Sequence, residues 1–315
     1  MEVAPGIHRI ESVLGPRPFS QYLLRDERSL LVDTGVKETP AAVILPFLDG
    51  LQPDFVLNSH ADVDHYGGNA AIREAAPNAL FLAHARDVPW IESADAIMRE
   101  RYGWYAEYGL AYDPDTFAWL RDAIGPDMPI DLHLQGGERI RLGPRLSVEV
   151  LNLPGHTPGH VGLWEPSSRT AIVIDSVMAR GLLDMEGTVI HPPPYFDVAD
   201  YLGTARALQS LRPARLLTAH YDVLEGDDVE RFLAETIAFV EDAGRVVEQG
   251  LAETGELTLP QALTLGDAAL GPFTSMPNEL AGSLRAHLRA LVQEGRAEED
   301  RAGLRWTTAT DNGGI

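Results

Sequence analysis

The chain has 315 residues, 45% of them apolar and 23% charged, enough to bury a large core in one big domain with an appendage or in two ordinary domains. Its formal net charge of -22 argues against nucleic acid and anionic membranes as partners, and no stretch reaches the roughly 18 apolar residues that a membrane helix needs. The absence of cysteine excludes disulfides, a thiol nucleophile and thiolate metal ligands, so any metal must sit on His, Asp and Glu.

The N-terminal MEVAPGIHRIESVLG has neither a basic leader nor an apolar core, which predicts a cytoplasmic protein. Apolar runs at 21–24 and 30–33, around a polar turn at 25–28, predict a β-hairpin leading into Asp33-Thr-Gly35. Pro40 opens a helix ending near Gly50, and 54–58 is a short strand delivering the chain to His60. Residues 70–76 read as a helix and 79–83 as a strand, an alternating α/β order. Residues 86–128 break that rhythm with a helical pattern rich in rings, among them Trp90, Tyr102, Tyr105, Tyr112 and Trp119, and predict an inserted helical cover. Strand-like runs resume at 139–142, 146–151, 161–164 and 170–174 and imply a second sheet. A helix is expected over 202–211, a strand over 215–218 and a longer helix from 229 to about 249. Beyond Gly250, Leu280, Leu284, Leu288 and Leu291 recur at helical spacing, and 296–307 could turn at Gly303 as a hairpin. The chain thus divides into 1–250 and a small winged-helix-like appendage, 251–315. With nine acidic residues against five Arg, the appendage is a packing or dimerisation unit rather than a DNA reader.

The chemistry concentrates in His60-Ala-Asp62-Val-Asp64-His65, just after a strand and followed by Gly67-Gly68. Alternate residues of an extended segment point the same way, so His60, Asp62 and Asp64 can converge while the loop turns His65 inward. The plainer reading is a polar loop whose histidines cap a helix. Three further segments weigh against it: Gly155-His156-Thr-Pro-Gly-His160 in a tight turn, Asp175 ending the apolar run 172–174, and His220 ending the run 216–219. Ionisable groups closing apolar strands at several separated places would each cost several kcal/mol if they served packing alone.

In this order along the first 230 or so residues, these segments resemble the metallo-β-lactamase superfamily: Asp-Thr-Gly after a hairpin, H-x-H-x-D-H with Gly-Gly, a G-H-T-x-G-H turn, then a strand-end Asp and a strand-end His. The resemblance implies a four-layer αββα sandwich holding two divalent cations, zinc first. His60 and His156 would hold one, Asp64, His65 and His220 the other, and Asp175 would bridge them, with Asp33 supporting from behind. One position departs from the pattern, because Asp62 stands where the motif has its second His. Two divalent ions facing Asp64 and Asp175 keep a charge of +2, and Asp62 as a further ligand leaves +1, weakening the Lewis acids and shifting preference towards iron or manganese. Being short, Asp62 could also leave the first site under-coordinated.

The default reaction is metal-assisted hydrolysis, in which a hydroxide generated near neutral pH attacks a carbonyl or phosphoryl centre. Asp64 would position it and shuttle the proton, while His160 or Tyr221 would donate to an oxyanion or else serve only packing. The insert would form an apolar vestibule for a small ester, lactone or thioester, unless its rings pack a helical pair or a homodimer contact; Tyr195 would line the pocket or stiffen a loop. Two alternatives stay open: a di-iron redox protein like the flavodiiron branch, and a mononuclear metal-binding protein.

Overall fold

The computed structural model describes residues 1–309, so the end of the expected appendage, 310–315, lies outside the described residues. The first sheet runs in sequential order through β1 (Glu2–Ala4), β2 (Ile7–Leu14), β3 (Arg17–Arg25), β4 (Ser29–Val32), β5 (Phe55–Leu57), β6 (Leu80–His84) and β7 (Leu132–Leu134). β1 to β4 pair antiparallel, and β4 to β7 pair parallel. The predicted hairpin is β3–β4. β1 and β2 precede it unforeseen, because β2 does not alternate in polarity: Arg9 is buried, its Nε donating to Ser20 Oγ (2.8 Å), while Val13 is exposed.

The second sheet contains β8 (Arg139–Arg141), β9 (Ser147–Asn152), β10 (Val161–Glu165) and β11 (Thr170–Ile174). A small hairpin, β12 (Leu182–Leu183) with β13 (Val189–His191), comes next, and then β14 (Arg215–Thr218) and β15 (Leu224–Glu225) complete the order β15-β14-β11-β10-β9-β8. The period of two assigns the faces. Leu30, Val32, Leu57 and Leu82 of the first sheet meet Val148, Val150, Ile172 and Ile174 of the second in one core. Their neighbours Leu31, Val56 and Phe81 face the opposite way, towards helices, and Ala171 and Val173 face the helices Val198–Leu211 and Asp227–Thr254. This is the αββα sandwich that the resemblance implied.

The insert is helical in short pieces, including Val88–Ile91, Met98–Tyr102 and Pro114–Ala123; the last is capped by Asp113, which accepts from the Asp115 and Thr116 N–H groups. The helix expected to end near Gly250 runs on to Thr254, with Gly255 left-handed (φ 74°) at its end. Gly250 lies within it because a Cβ there would fall 2.7 Å from Leu265 Cδ1: the glycine allows a neighbouring helix to approach rather than ending this one. Beyond it, in the stretch expected as the appendage, lie β16 (Glu256–Thr258), helices Leu259–Leu270 and Leu280–Gln293, β17 (Ala297–Glu299) and β18 (Arg305–Thr308), with the strands ordered β16-β18-β17. The appendage packs on the insert, with fully buried Trp306 stacked over Tyr108 at 6.3 Å. No helix of the described residues is long and apolar enough to cross a membrane.

Candidate metal centre

The parallel strands β5 and β11, together with β14, end at one edge of the sandwich, and the loops that follow them carry His60 to His65, Asp175 and His220. The tight turn between β9 and β10 brings His156 and His160 to the same edge. Side chains from these loops form three overlapping triads whose potential ligand atoms lie within 4.8 Å of one another: His60, Asp62 and His156; Asp64, His65 and His220; and His60, His65 and Asp175 between them. The structure thus gathers every residue expected as a ligand.

Four imidazoles are oriented alike. His65 Nδ1 pairs with Asp33 Oδ2 (2.9 Å), His156 Nδ1 donates to the Pro194 carbonyl (2.7 Å) and His220 Nδ1 to the Pro18 carbonyl (2.9 Å). His60 Nδ1 lies 3.0 Å from Ser59 Oγ, whose own proton goes to Asp33, so the ring donates there. Each ring therefore presents Nε2 as a lone pair to the centre. His65 Nε2 and His220 Nε2 are buried without a hydrogen-bond partner, and the Nε2 atoms of His60 and His156 face each other at 3.2 Å, lone pair against lone pair. Cations would relieve all of these, so the donor set fits metal ions. Asp175 Oδ2 lies 3.2 Å from His65 Nε2 and 3.4 Å from His220 Nε2, so the carboxylate and both rings aim their acceptor atoms at one place.

Asp62 reaches the centre despite its short side chain, with Oδ2 3.1 Å from His156 Nε2. It does not arrive as a free charge. Arg101 from the insert grips it through Nε to Oδ1 (2.9 Å) and Nη2 to Oδ2 (3.0 Å), and the Tyr102 hydroxyl donates to Oδ1 (3.2 Å). Burial raises the Asp62 carboxyl, yet the Arg101 guanidinium keeps it well below the carboxylate range. Arg101 also pairs with Glu279 of the appendage, which accepts from the Tyr105 and Tyr112 hydroxyls as well. Arg101 therefore stands as a single guanidinium between two buried carboxylates, Asp62 and Glu279.

Two expected contributors sit elsewhere. The Tyr221 hydroxyl lies between the Met178 and Gly181 carbonyls, which share its one proton, and its ring packs on Phe232. His160 is fully buried, stacked on His60 at 4.6 Å, with Nε2 accepting from the Asp175 N–H (3.3 Å). Neither lines the cleft above the centre, so neither is placed to donate to an oxyanion. Tyr195 is likewise buried, its hydroxyl 2.8 Å from His287 Nε2. Of the insert's rings, Tyr102 and Trp119 line the cleft while Tyr105, Tyr108 and Tyr112 pack against the appendage.

Asp87, unforeseen from the sequence, is fully buried and accepts from the Ala61 N–H (3.1 Å), the Gly159 N–H (2.6 Å) and the Thr157 hydroxyl (2.6 Å), tying the first ligand loop to the second. Burial pushes its carboxyl up to about 6 despite those three donors. Nothing in its Ala-Arg-Asp setting after a strand marks it.

Residues 14–220 match the family model of the Metallo-beta-lactamase superfamily. A probable metallo-hydrolase of Bacillus subtilis, YflN, is 24% identical over 252 residues, covering 74% of this chain and 90% of that protein. A hydroxyacylglutathione hydrolase of Fuscovulum blasticum is 30% identical over 151 residues, 47% of this chain and about half (54%) of that enzyme. Among solved structures, a metallo-beta-lactamase family protein of Thermus thermophilus, TTHA1429, superposes with a TM-score of 0.75 at 19% identity, covering 98% of this chain and 100% of that one. A beta-lactamase domain protein of Burkholderia ambifaria gives 0.71 at 22%, covering 98% of this chain and 94% of that one, so the likeness of fold runs through the appendage. The chain belongs to the metallo-beta-lactamase superfamily.

Proposed function

We propose that the protein is a binuclear metallo-hydrolase that cleaves small ester, lactone or thioester substrates. The observation that carries this reading is the convergence of unpartnered, buried Nε2 atoms on Asp175. His60, Asp62 and His156 would hold one divalent cation, Asp64, His65 and His220 the other, with Asp175 shared. Zinc is the proposed metal, because the guanidinium of Arg101 draws on the Asp62 carboxylate and leaves imidazole nitrogen as the stronger donor. When bound, two such ions acidify water and polarise a carbonyl oxygen. Asp64 borders the cleft, with Oδ2 3.7 Å from His65 Nε2 and 3.8 Å from His220 Nε2, where it can take a proton from the attacking water and pass it to the leaving oxygen or sulfur. Tyr102 and Trp119 give the cleft an apolar wall that restricts water. The two relatives named as hydrolases support hydrolysis as the class of reaction.

Elemental analysis of protein purified without added metal, with rates on thioester, lactone and phosphodiester substrates, tests the reading. Two zinc equivalents and ester-type turnover are expected; two irons with a charge-transfer band and no turnover would replace it with redox chemistry. His65→Ala and His220→Ala should each lose one equivalent and turnover, whereas His84→Ala and His133→Ala should keep both. Full metal content in the first pair would refute the ligand assignment.

A further inference from the structure

The cleft above the centre is lined by two guanidinium groups, and they stand in opposite circumstances. Arg101 is engaged with Asp62 and Glu279. Arg17 has no carboxylate partner among the described residues, its Nε is buried without a hydrogen bond, and the residue is only 8% exposed. Burying most of a guanidinium with no counter-ion is costly, and the open side of this one is the cleft, so an anion is implied at this position.

The backbone holds Arg17 there firmly. It pairs with Leu14 at the mouth of the β2–β3 hairpin, the Pro16 carbonyl accepts from the Met185 N–H (3.0 Å), and the Pro18 carbonyl orients His220. Two residues on, the same face of β3 carries Phe19, stacked on His220 at 5.3 Å, so Arg17 lies on the strand face turned to the metal centre. His191, in the β12–β13 hairpin that packs against β3, lines the same stretch of cleft and donates Nδ1–H to the Pro192 carbonyl (2.6 Å). Of the acidic groups facing the cleft, Asp62 and Glu279 share Arg101, and Asp64 and Asp175 belong to the metal centre.

We propose that Arg17 is a substrate-recognition residue that receives a carboxylate carried by the substrate beside its scissile ester or thioester bond. The proposal rests on the hydrolase reading above and names the substrate class within it. A guanidinium fork matches a planar carboxylate with two parallel hydrogen bonds. One unpaired guanidinium suits a monoanion rather than a phosphate dianion.

The test compares metal-loaded wild type, Arg17→Met and Arg17→Lys, matched for metal content, on two aryl esters of equal length, one ending in a methyl group and one in a carboxylate. The wild type is expected to favour the anionic ester, and the ratio of the two kcat/KM values should fall roughly 10- to 100-fold in Arg17→Met, mainly through KM, with partial recovery in Arg17→Lys. Equal loss on both esters, or no preference in the wild type, overturns the proposal. Calorimetry with succinate and with inorganic phosphate on the same proteins stands apart from turnover: succinate binding that weakens at least 10-fold in Arg17→Met supports the site even if neither ester is hydrolysed, a result that would sink the ester-hydrolase reading alone. Phosphate held more tightly than succinate, and lost with Arg17, would overturn the carboxylate assignment. Thermal unfolding adds a further check: Arg17→Met should keep or raise Tm without ligand, because it removes an unpaired charge, and a clear drop would instead make Arg17 structural.

Discussion

Asp62 faces two ways, towards His156 on the metal side and towards Arg101 on the other. Replacing Arg101 with Met would leave Asp62 and Glu279, both buried, as like charges without their shared counter-ion, and a stability loss of about 3–5 kcal/mol is expected in denaturant unfolding. A loss below about 1 kcal/mol would mean that the pair is not formed in solution. Asp62→His should tighten zinc binding, measured against a chelator, if the carboxylate is a ligand; unchanged affinity would place Asp62 outside the coordination shell. The residues near the metals were legible because the chain crowds them: four potential ligands between His60 and His65, and lone ionisable groups closing apolar runs at Asp175 and His220. Their supports were not. Arg101 meets Glu279 across 178 positions, Arg17 shows its lack of a partner only in three dimensions, and Tyr221, beside a ligand, looked catalytic until its hydroxyl was found on backbone carbonyls.

At the scale of elements, the centre depends on loops from different strands keeping a fixed separation, and Asp87 sets part of it. Its carboxylate gathers donors from Ala61, Thr157 and Gly159, and Gly159 leaves so little room that a Cβ would fall 2.7 Å from Asp87 Oδ1. Asp87→Ala strands two backbone N–H groups and a hydroxyl in the interior, for an expected loss of about 3 kcal/mol and weaker metal binding. Competition with a chelator and thermal unfolding read both; if stability falls while metal affinity stays, Asp87 supports the fold and not the spacing of the ligand loops. The helices and strands themselves followed their apolar periodicities well. Exceptions arose where burial broke the pattern, as at Arg9 in β2, or where a glycine served close packing inside a helix, as at Gly250.

For the whole molecule, docking of the appendage has its own sensitivity to acid. His287, on the helix Leu280–Gln293, accepts from the Tyr195 hydroxyl and packs against Gly244; burial lowers its pKa from 6.5 to about 4, only partly offset by Glu248. Between those values the unfolded chain takes up a proton that the folded one resists. His287 therefore contributes full stability above about pH 6.5 and loses it as the pH falls towards 4, by about 3 kcal/mol in all. Unfolding free energies of wild type and His287→Gln at pH 7.5 and 5 should converge on acidification; parallel profiles would assign the acid sensitivity elsewhere.

Glu279 also bears on how such chains can be recombined. It belongs to the C-terminal unit, yet it borders the metal cleft and shares Arg101 with Asp62. The two parts are therefore not interchangeable modules: a chimera that grafts a foreign C-terminal unit onto residues 1–254 also exchanges the group behind the Asp62 grip. Such a graft would keep its ligands in sequence while losing the charge balance around one of them, unless the donor unit brings an acid to the same place.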